Sequence, residues 1–422
     1  MHIKAAARKS APMADALPKQ LQNRASSHHC ARINGDRDHF CLAPGRRSRT
    51  VCDRPLQSED PETLRITVVC SIRNEGPFIV EWACWYRMLG FTDIVIISND
   101  CTDHSVELLD ALAAAHWLHH IRCDVPSGKQ ITFRKLRKAK EHKSVRRAAW
   151  VMVCDVDEFL VIHKGDGLIG DLIDLAAPAP AFLGMSINWR VFGTSGRAAF
   201  EDTPVHRQFV YCCPTKHRVS RVVKSIFRQP KRFASLGEHG PRGLDMTGFG
   251  AEWGTPGLTW VNPDGQTIPV WTPEGKYRRE MPPKLISLKV AQINHYMVRS
   301  EETFSLKHKT LSPVAGVNRY TKSYFDRANR GEEPDASAFR YSDRYDAVYA
   351  QALTIPDVAR LHYLCCADHL RLIAEKHGRD IALDPRYQAF LDLAENPEAA
   401  RCVENEKSAA GDPAAPLDLH SD

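Results

Sequence analysis

RITVVCSIRNEGPFIVEWACWYRMLGFTDIVIISNDCTD, residues 65–103, is the stretch whose reading decides the fold. Arg65 to Ser71 is a short apolar run ending in polar residues, the pattern of a buried strand. Glu75 to Leu89 carries apolar residues at helical spacing and is closed by Gly90 as a C-cap. Asp93 to Ser98 reads as a second strand, and Thr102–Asp103 cap a helix through Ala115. Working outward, Leu118 to Cys123 makes a third strand, Lys129 to Arg147 a basic helical segment, and Trp150 to Cys154 a fourth strand. Such alternation implies an α/β chain with a Rossmann-like, mostly parallel sheet and helices on both faces. Residues 180–350 are mixed and rich in Gly and Pro, and Pro356–Lys376 reads as a closing helix.

Ligands on open sheets of this class bind beyond the carboxyl ends of the strands. After the first strand stands Arg73-Asn74-Glu75, after the second Asn99-Asp100, and after the fourth Asp155-Val156-Asp157-Glu158. Three polar clusters at neighbouring strand ends predict one crevice. Asp155 and Asp157, two carboxylates at i, i+2 just past an apolar strand, can face one cation. A hard divalent ion takes oxygen ligands and keeps positions for water and phosphate oxygens, so metal plus diphosphate is a coherent pairing. In an arbitrary loop the same triplet is solvated charge; its place after a buried strand favours the functional reading.

Composition sets the remaining limits. Hydrophobic residues make up 43% and charged residues 26% of 422, the profile of a globular protein with a sizeable core. Of the net charge of +6, residues 1–60 carry +5, with 11 Lys/Arg against 6 Asp/Glu, so the remainder is nearly neutral and predicts no nucleic-acid partner. None of the 13 cysteines forms a CxxC pair, and Cys70, Cys123 and Cys154 sit in apolar runs, the usage of a reducing compartment. With no apolar run near the ~18–20 residues that span a bilayer, and no signal-like segment, we expect a cytoplasmic protein whose basic tail can touch a membrane surface. Residues 1–62 and 395–422 read as disordered tails around a domain at 63–380. Within it, 63–165 is expected to bind the nucleotide, 166–350 the acceptor, and 351–380 to close the fold.

VVCSIRNEGPFIVEWACWYRMLGFTDIVIISNDCTD and WVMVCDVDEFLV resemble the bacterial family-2-type glycosyltransferases and their relatives in family 92. SINWRVFGTSG, VVKSIFRQP and INHYMVRSEETFSLKHK continue the likeness in order, over roughly residues 64–330. The resemblance implies a GT-A fold, a nucleoside-diphosphate sugar donor, Mn2+ or Mg2+, a glycan or lipid-linked acceptor, and inversion at the anomeric carbon. By position it implies donor contacts at Arg73, Asn74, Glu75, Asn99 and Asp100, and metal and diphosphate contacts at Asp155 and Asp157. His295 resembles the third metal ligand found late in GT-A enzymes, while His239, ahead of Pro241, is a rival for that role. His295 is equally well read as a structural histidine satisfied by backbone groups.

Trp189 and Phe192 are candidates for the acceptor side, although aromatics after a strand are more often core. Lys224 and Arg228 either meet phosphate or line a solvated face, and Arg134–Lys143 is most simply an exposed basic helix face. Inversion needs a general base; Glu201, Asp202 and Glu238 are the candidates. Rival readings are a DxD phosphatase, a nucleotidyltransferase, and a degenerate domain that binds nucleotide sugar or carbohydrate without turnover. The phosphatase needs its aspartates after the first strand, and the nucleotidyltransferase a Gly-rich basic loop there. Neither is present.

Overall fold

The computed structural model describes residues 64–124, 130–174, 182–245, 259–269, 277–308, 310, 317–396, 398–400, 402, 403 and 406. The expected tail at 1–62 lies outside the described residues, as do Lys129 and most of the expected tail at 395–422; those of its residues that are described are mostly helical. The first half runs β1 (Ile66–Ile72), α1 (Gly76–Met88), β2 (Asp93–Ser98), α2 (Ser105–Ala114), β3 (His119–Arg122), α3 (Ile131–Glu141), α4 (Lys143–Arg146) and β4 (Trp150–Val153). There follow β5 (Glu158–Ile162), α5 (Ile169–Asp174), β6 (Phe182–Val191), α6 (Val205–Gln208), β7 (Tyr211–Cys212), β8 (Val223–Arg228), β9 (Phe233–Ser235), β10 (Arg242–Leu244), β11 (Thr259–Val261) and β12 (Ala291–His295). The chain closes with α7 (Glu301–Lys307), α8 (Lys322–Ala328), β13 (Glu333–Pro334), α9 (Ser342–Leu353), α10 (Val358–His377) and α11 (Pro385–Glu395).

The main sheet has the order β3-β2-β1-β4-β8-β6-β12-β5, with β11 also against β6. β3, β2, β1 and β4 are parallel, as the alternation of strands and helices requires. Period-two alternation explains why both faces are covered. Val68, Cys70, Ile94, Ile96, Trp150 and Met152 enter one core with α1, α2, α9 and α10. Val69, Val95, Ile97, Val151 and Val153 enter the other, beneath α3 and α4. α1 is buried at every residue but Arg87, so it reads as apolar nearly all round.

The rest of the sheet departs from the mostly parallel expectation. β8 is antiparallel to both β4 and β6, and β5 is antiparallel to β12, giving a mixed sheet flanked by helices. Strands that pair across long sequence intervals leave no local signature of direction, whereas the crossovers of the parallel half do. The expected basic helix is also divided: His142 is extended (ψ 141°), and its side chain accepts from the Ser144 amide to start α4. Among the described residues no helix is long and apolar enough to cross a membrane, and the described cysteines are free thiols.

Candidate active site

Because β2, β1 and β4 are neighbours, the three polar clusters emerge side by side. Asn74 and Asp100 both take left-handed backbone angles (φ 52° and 45°) where the chain turns sharply out of its strand. Asn74 Oδ1 accepts from the Thr102 amide at 2.8 Å, and its Nδ2 donates to Thr102 Oγ1 at 2.9 Å. Arg73 Nε donates to the Asp100 carbonyl at 3.2 Å. The side chain of Asn74 thus ties the two loops together. Beneath them lies Lys135 of α3, whose Nζ donates to the Ile72 carbonyl at 3.0 Å and to Asn99 Oδ1 at 2.6 Å. Lys135 is 3% exposed, and burial pushes its ammonium down to about 8. The basic face of this helix is exposed at Arg134, Arg137 and Lys138, as expected, while Lys135 departs from it as a buried support of the strand-end loops.

The turn between β4 and β5 is gripped from α1. Trp82 Nε1 donates to the Asp155 carbonyl at 2.9 Å, Tyr86 Oη to the Glu158 carbonyl at 3.1 Å, and Trp85 Nε1 to the Leu160 carbonyl at 2.9 Å. Three aromatic residues at i, i+3 and i+4 share one helix face, so a single face fixes the whole turn. The Glu158 amide closes it onto the Asp155 carbonyl at 3.0 Å, and the Asp155 amide donates to Glu158 Oε2 at 2.8 Å.

Two lysines from the mixed half, Lys224 buried and Lys307 partly buried, reach the aspartates. Lys224 of β8 lies 2.8 Å from Asp155 Oδ2 and 2.9 Å from Glu158 Oε2. Lys307 of α7 lies 3.0 Å from Asp157 Oδ2. Burial pushes the Asp157 carboxyl up, but Lys307 and His295 outweigh it and hold it well below the usual carboxylate range. Glu158 is raised, by burial first, with Lys224 pulling the other way and both aspartates adding to the rise. Lys224 stays charged because Asp155 and Glu158 outweigh its burial. Arg299 completes the ring of charge, at 2.9 Å from Glu75 Oε2 and 3.2 Å from the Val156 carbonyl, with its guanidinium over Phe78.

His295 Nε2 stands 3.4 Å from Asp157 Oδ1. His239 Nδ1 is 3.0 Å from the Val223 carbonyl, and burial, with Lys224 next, pushes its pKa down to about 3. Neutral, with Nδ1–H on that carbonyl, it keeps Nε2 as an acceptor. Both rings pack on Trp189, at 4.3 Å for His295 and 5.6 Å for His239. Phe192 is fully buried, with its ring 4.8 Å from Tyr296. Arg228 lies over Trp150, where β4 begins, at the far end of that strand from Asp155. Of the three candidate bases, Glu238 alone shares the cluster's field: burial and then Asp155 raise its carboxyl, while Lys224 and Arg319 pull it down. Glu201 instead pairs with Arg197 at 2.8 Å, and Asp202 with His362 at 3.0 Å.

The donor set suits a hard divalent cation. Asp155 is 40% exposed at its side chain, and Lys224 engages its Oδ2. Carboxylate oxygens with an imidazole nitrogen are ligands that Mn2+ accepts. Sequence reasoning did not find Lys135, Lys307 or Arg299 as site residues. The only signal was that Arg299 and Lys307 fall inside the stretch quoted above after His295.

Neither a protein-family model nor a curated protein matches the chain. Among solved structures it is similar to S. aureus TarS, at 10% identity and TM-score 0.29 over 82% of this chain and 54% of that one. The chain therefore spans about half the length of that neighbour. TarS 1–349 in complex with UDP-GlcNAc matches at 10% identity and TM-score 0.27, covering 78% of this chain and 90% of that one. The WbbM bifunctional glycosyltransferase in its apo form matches at 14% identity and TM-score 0.21, covering 39% and 31%. Likenesses at this level carry none of the argument below.

Proposed function

We propose that this chain is a GT-A-type glycosyltransferase that moves a sugar from a nucleoside diphosphate to a hydroxyl of a glycan or lipid-linked acceptor, with inversion. The observation that carries this reading is the Asp155/Asp157 pair at the rim of the parallel half of the sheet, held by α1 and faced by two lysines. Asp155, Asp157 and either His295 or His239 would hold Mn2+ or Mg2+. The ion supplies neutralisation of the diphosphate charge that grows as the sugar leaves.

The chain's own groups do the rest. Lys224 and Lys307 hold the two carboxylates in place and offset their mutual repulsion before any donor arrives. Arg73, Glu75, Asn99 and Asp100 frame the nucleotide side, and Lys135 fixes Asn99. Trp189, packed against both histidines, offers a ring for the acceptor sugar. Glu238, a partly shielded carboxylate with a raised pKa, takes the proton of the acceptor hydroxyl as its oxygen attacks the anomeric carbon. The bond to the diphosphate breaks, and its electron pair leaves with the diphosphate.

Asp155→Asn is the cleaner test, because Asp157→Ala takes away the carboxylate partner of the partly buried Lys307, whereas Lys224 keeps Glu158. Mn2+-dependent release of nucleoside diphosphate should fall by about 100-fold or more, the scale lost when one charge-stabilising group is removed. Folding should be unchanged. Wild-type turnover in this variant overturns the assignment. Donor binding with no release from the wild type, even with acceptor extracts, would identify a domain that binds without catalysis; the lysine partners of both aspartates make that the second reading.

A further inference from the structure

Away from the crevice, Asp202, His362 and Cys366 bring three different ligand types to one point. His362 and Cys366 are one turn apart on α10, so both face the same way, and both are buried. Asp202 arrives from the loop between β6 and α6. Its Oδ1 lies 3.0 Å from His362 Nε2, and Cys366 Sγ lies 3.8 Å from the same nitrogen. The Tyr349 hydroxyl is 3.4 Å from it as well. One imidazole nitrogen carries a single lone pair or a single proton, so it serves one of these neighbours at a time. A cation among them engages the carboxylate, the imidazole and the sulfur together. Their ligand atoms all lie within 4.8 Å of one another.

We propose that Asp202, His362 and Cys366 form a zinc site that staples the loop after β6 to α10. A tetrahedral zinc with bonds of about 2.3 Å to sulfur and about 2.0 Å to nitrogen separates those two atoms by roughly 3.6 Å, close to the observed 3.8 Å. Thiolate, imidazole and carboxylate together select zinc over the hard cations that a carboxylate pair takes. Thiolate and carboxylate also cancel the ion's two charges, which a buried site requires. On binding, the Cys366 thiol proton passes to solvent as the sulfur–zinc bond forms, with no change of oxidation state. A small cleft lined by Glu201, Asp202, Tyr345 and Tyr349 among others borders the carboxylate arm of the cluster.

The test uses the full chain, stripped with EDTA, dialysed and titrated with Co2+. We expect a thiolate-to-cobalt charge-transfer band in the near ultraviolet with the intensity of a single cobalt–thiolate bond, displaced by Zn2+, and a melting temperature raised several degrees by Zn2+. Cys366→Ala should lose the band. Absence of the band in the wild type, or a band of full intensity in Cys366→Ala, overturns the proposal. Should Cys366→Ala fail to fold, Asp202→Asn, at the half-buried rim, takes its place: at least tenfold weaker Co2+ binding is expected, and unchanged affinity overturns the proposal. Asp155 and Asp157 offer no sulfur and give no such band, so this site and the transferase reading stand or fall separately.

Discussion

A lysine ammonium at 3% exposure needs oxygens around it, and Lys135 has the Ile72 carbonyl and Asn99 Oδ1. Both acceptors sit where β1 and β2 deliver their chains to the crevice. Lys135→Met keeps the length and apolar stem of the side chain but removes the donor. A buried acceptor left without a partner costs about 1–3 kcal/mol, so the urea midpoint should fall by an amount worth about 2 kcal/mol at unchanged m-value. An unmoved midpoint would mean that the ammonium is solvated. The same residue shows where single-residue reading stops. Asp155 and Asp157 are legible because an acidic pair directly after an apolar run stands apart from the solvated charge of an arbitrary loop. Lys135 and Lys224 are two among 57 Lys and Arg, and the burial that distinguishes them is a property of the neighbours that the fold brings.

At the scale of the element, α10 shows how much a helix can carry beyond its own stability. Its expected span, Pro356–Lys376, agrees closely with the observed Val358–His377, since apolar spacing and the left-handed Gly378 mark its body and its end. The strands β5, β8 and β12 were not legible, because pairing partners far along the chain decide both their existence and their direction. Nor could the sequence show that α10 presents His369 to α1 and α7. That ring lies 5.7 Å from Phe78 and 4.6 Å from Phe200, with Nε2 3.1 Å from Thr303 Oγ1. Burial, with Arg299 second, pushes its pKa from 6.5 down to about 3. Between those values the unfolded chain holds a proton that the folded chain refuses, so stability is full above pH 6.5 and falls as pH drops toward 3. His369→Gln keeps a polar partner for Thr303 and does not titrate. Its stability should fall less steeply than that of the wild type over this window, in urea titrations at stepped pH. Parallel curves would show that the imidazole is protonated in the folded state.

For the molecule as a whole, the parallel half and the mixed half meet along β4 and β8, and each brings part of the site. From the first come Asp155, Asp157, Glu75 and Lys135; from the second, Lys224, His295, Arg299 and Lys307. The first half was legible from strand–helix alternation. The second was legible only in part: His295, and Lys224 in one of its two readings, were named, but Lys307 and Arg299 were not. A ligand that needs both halves should stabilise the fold only when it is complete. We therefore expect a panel of UDP-, GDP-, CDP- and dTDP-sugars to give one donor whose melting shift requires Mn2+. At 100 times its dissociation constant a ligand adds about 2.7 kcal/mol, worth several degrees for a domain of this size. Donor alone or Mn2+ alone should give less than half of that shift, and Asp155→Asn should lose it. A full shift from a nucleoside diphosphate sugar without any divalent ion would mean that Lys224 and Lys307 already supply the neutralisation, and the carboxylate pair would then lose its metal.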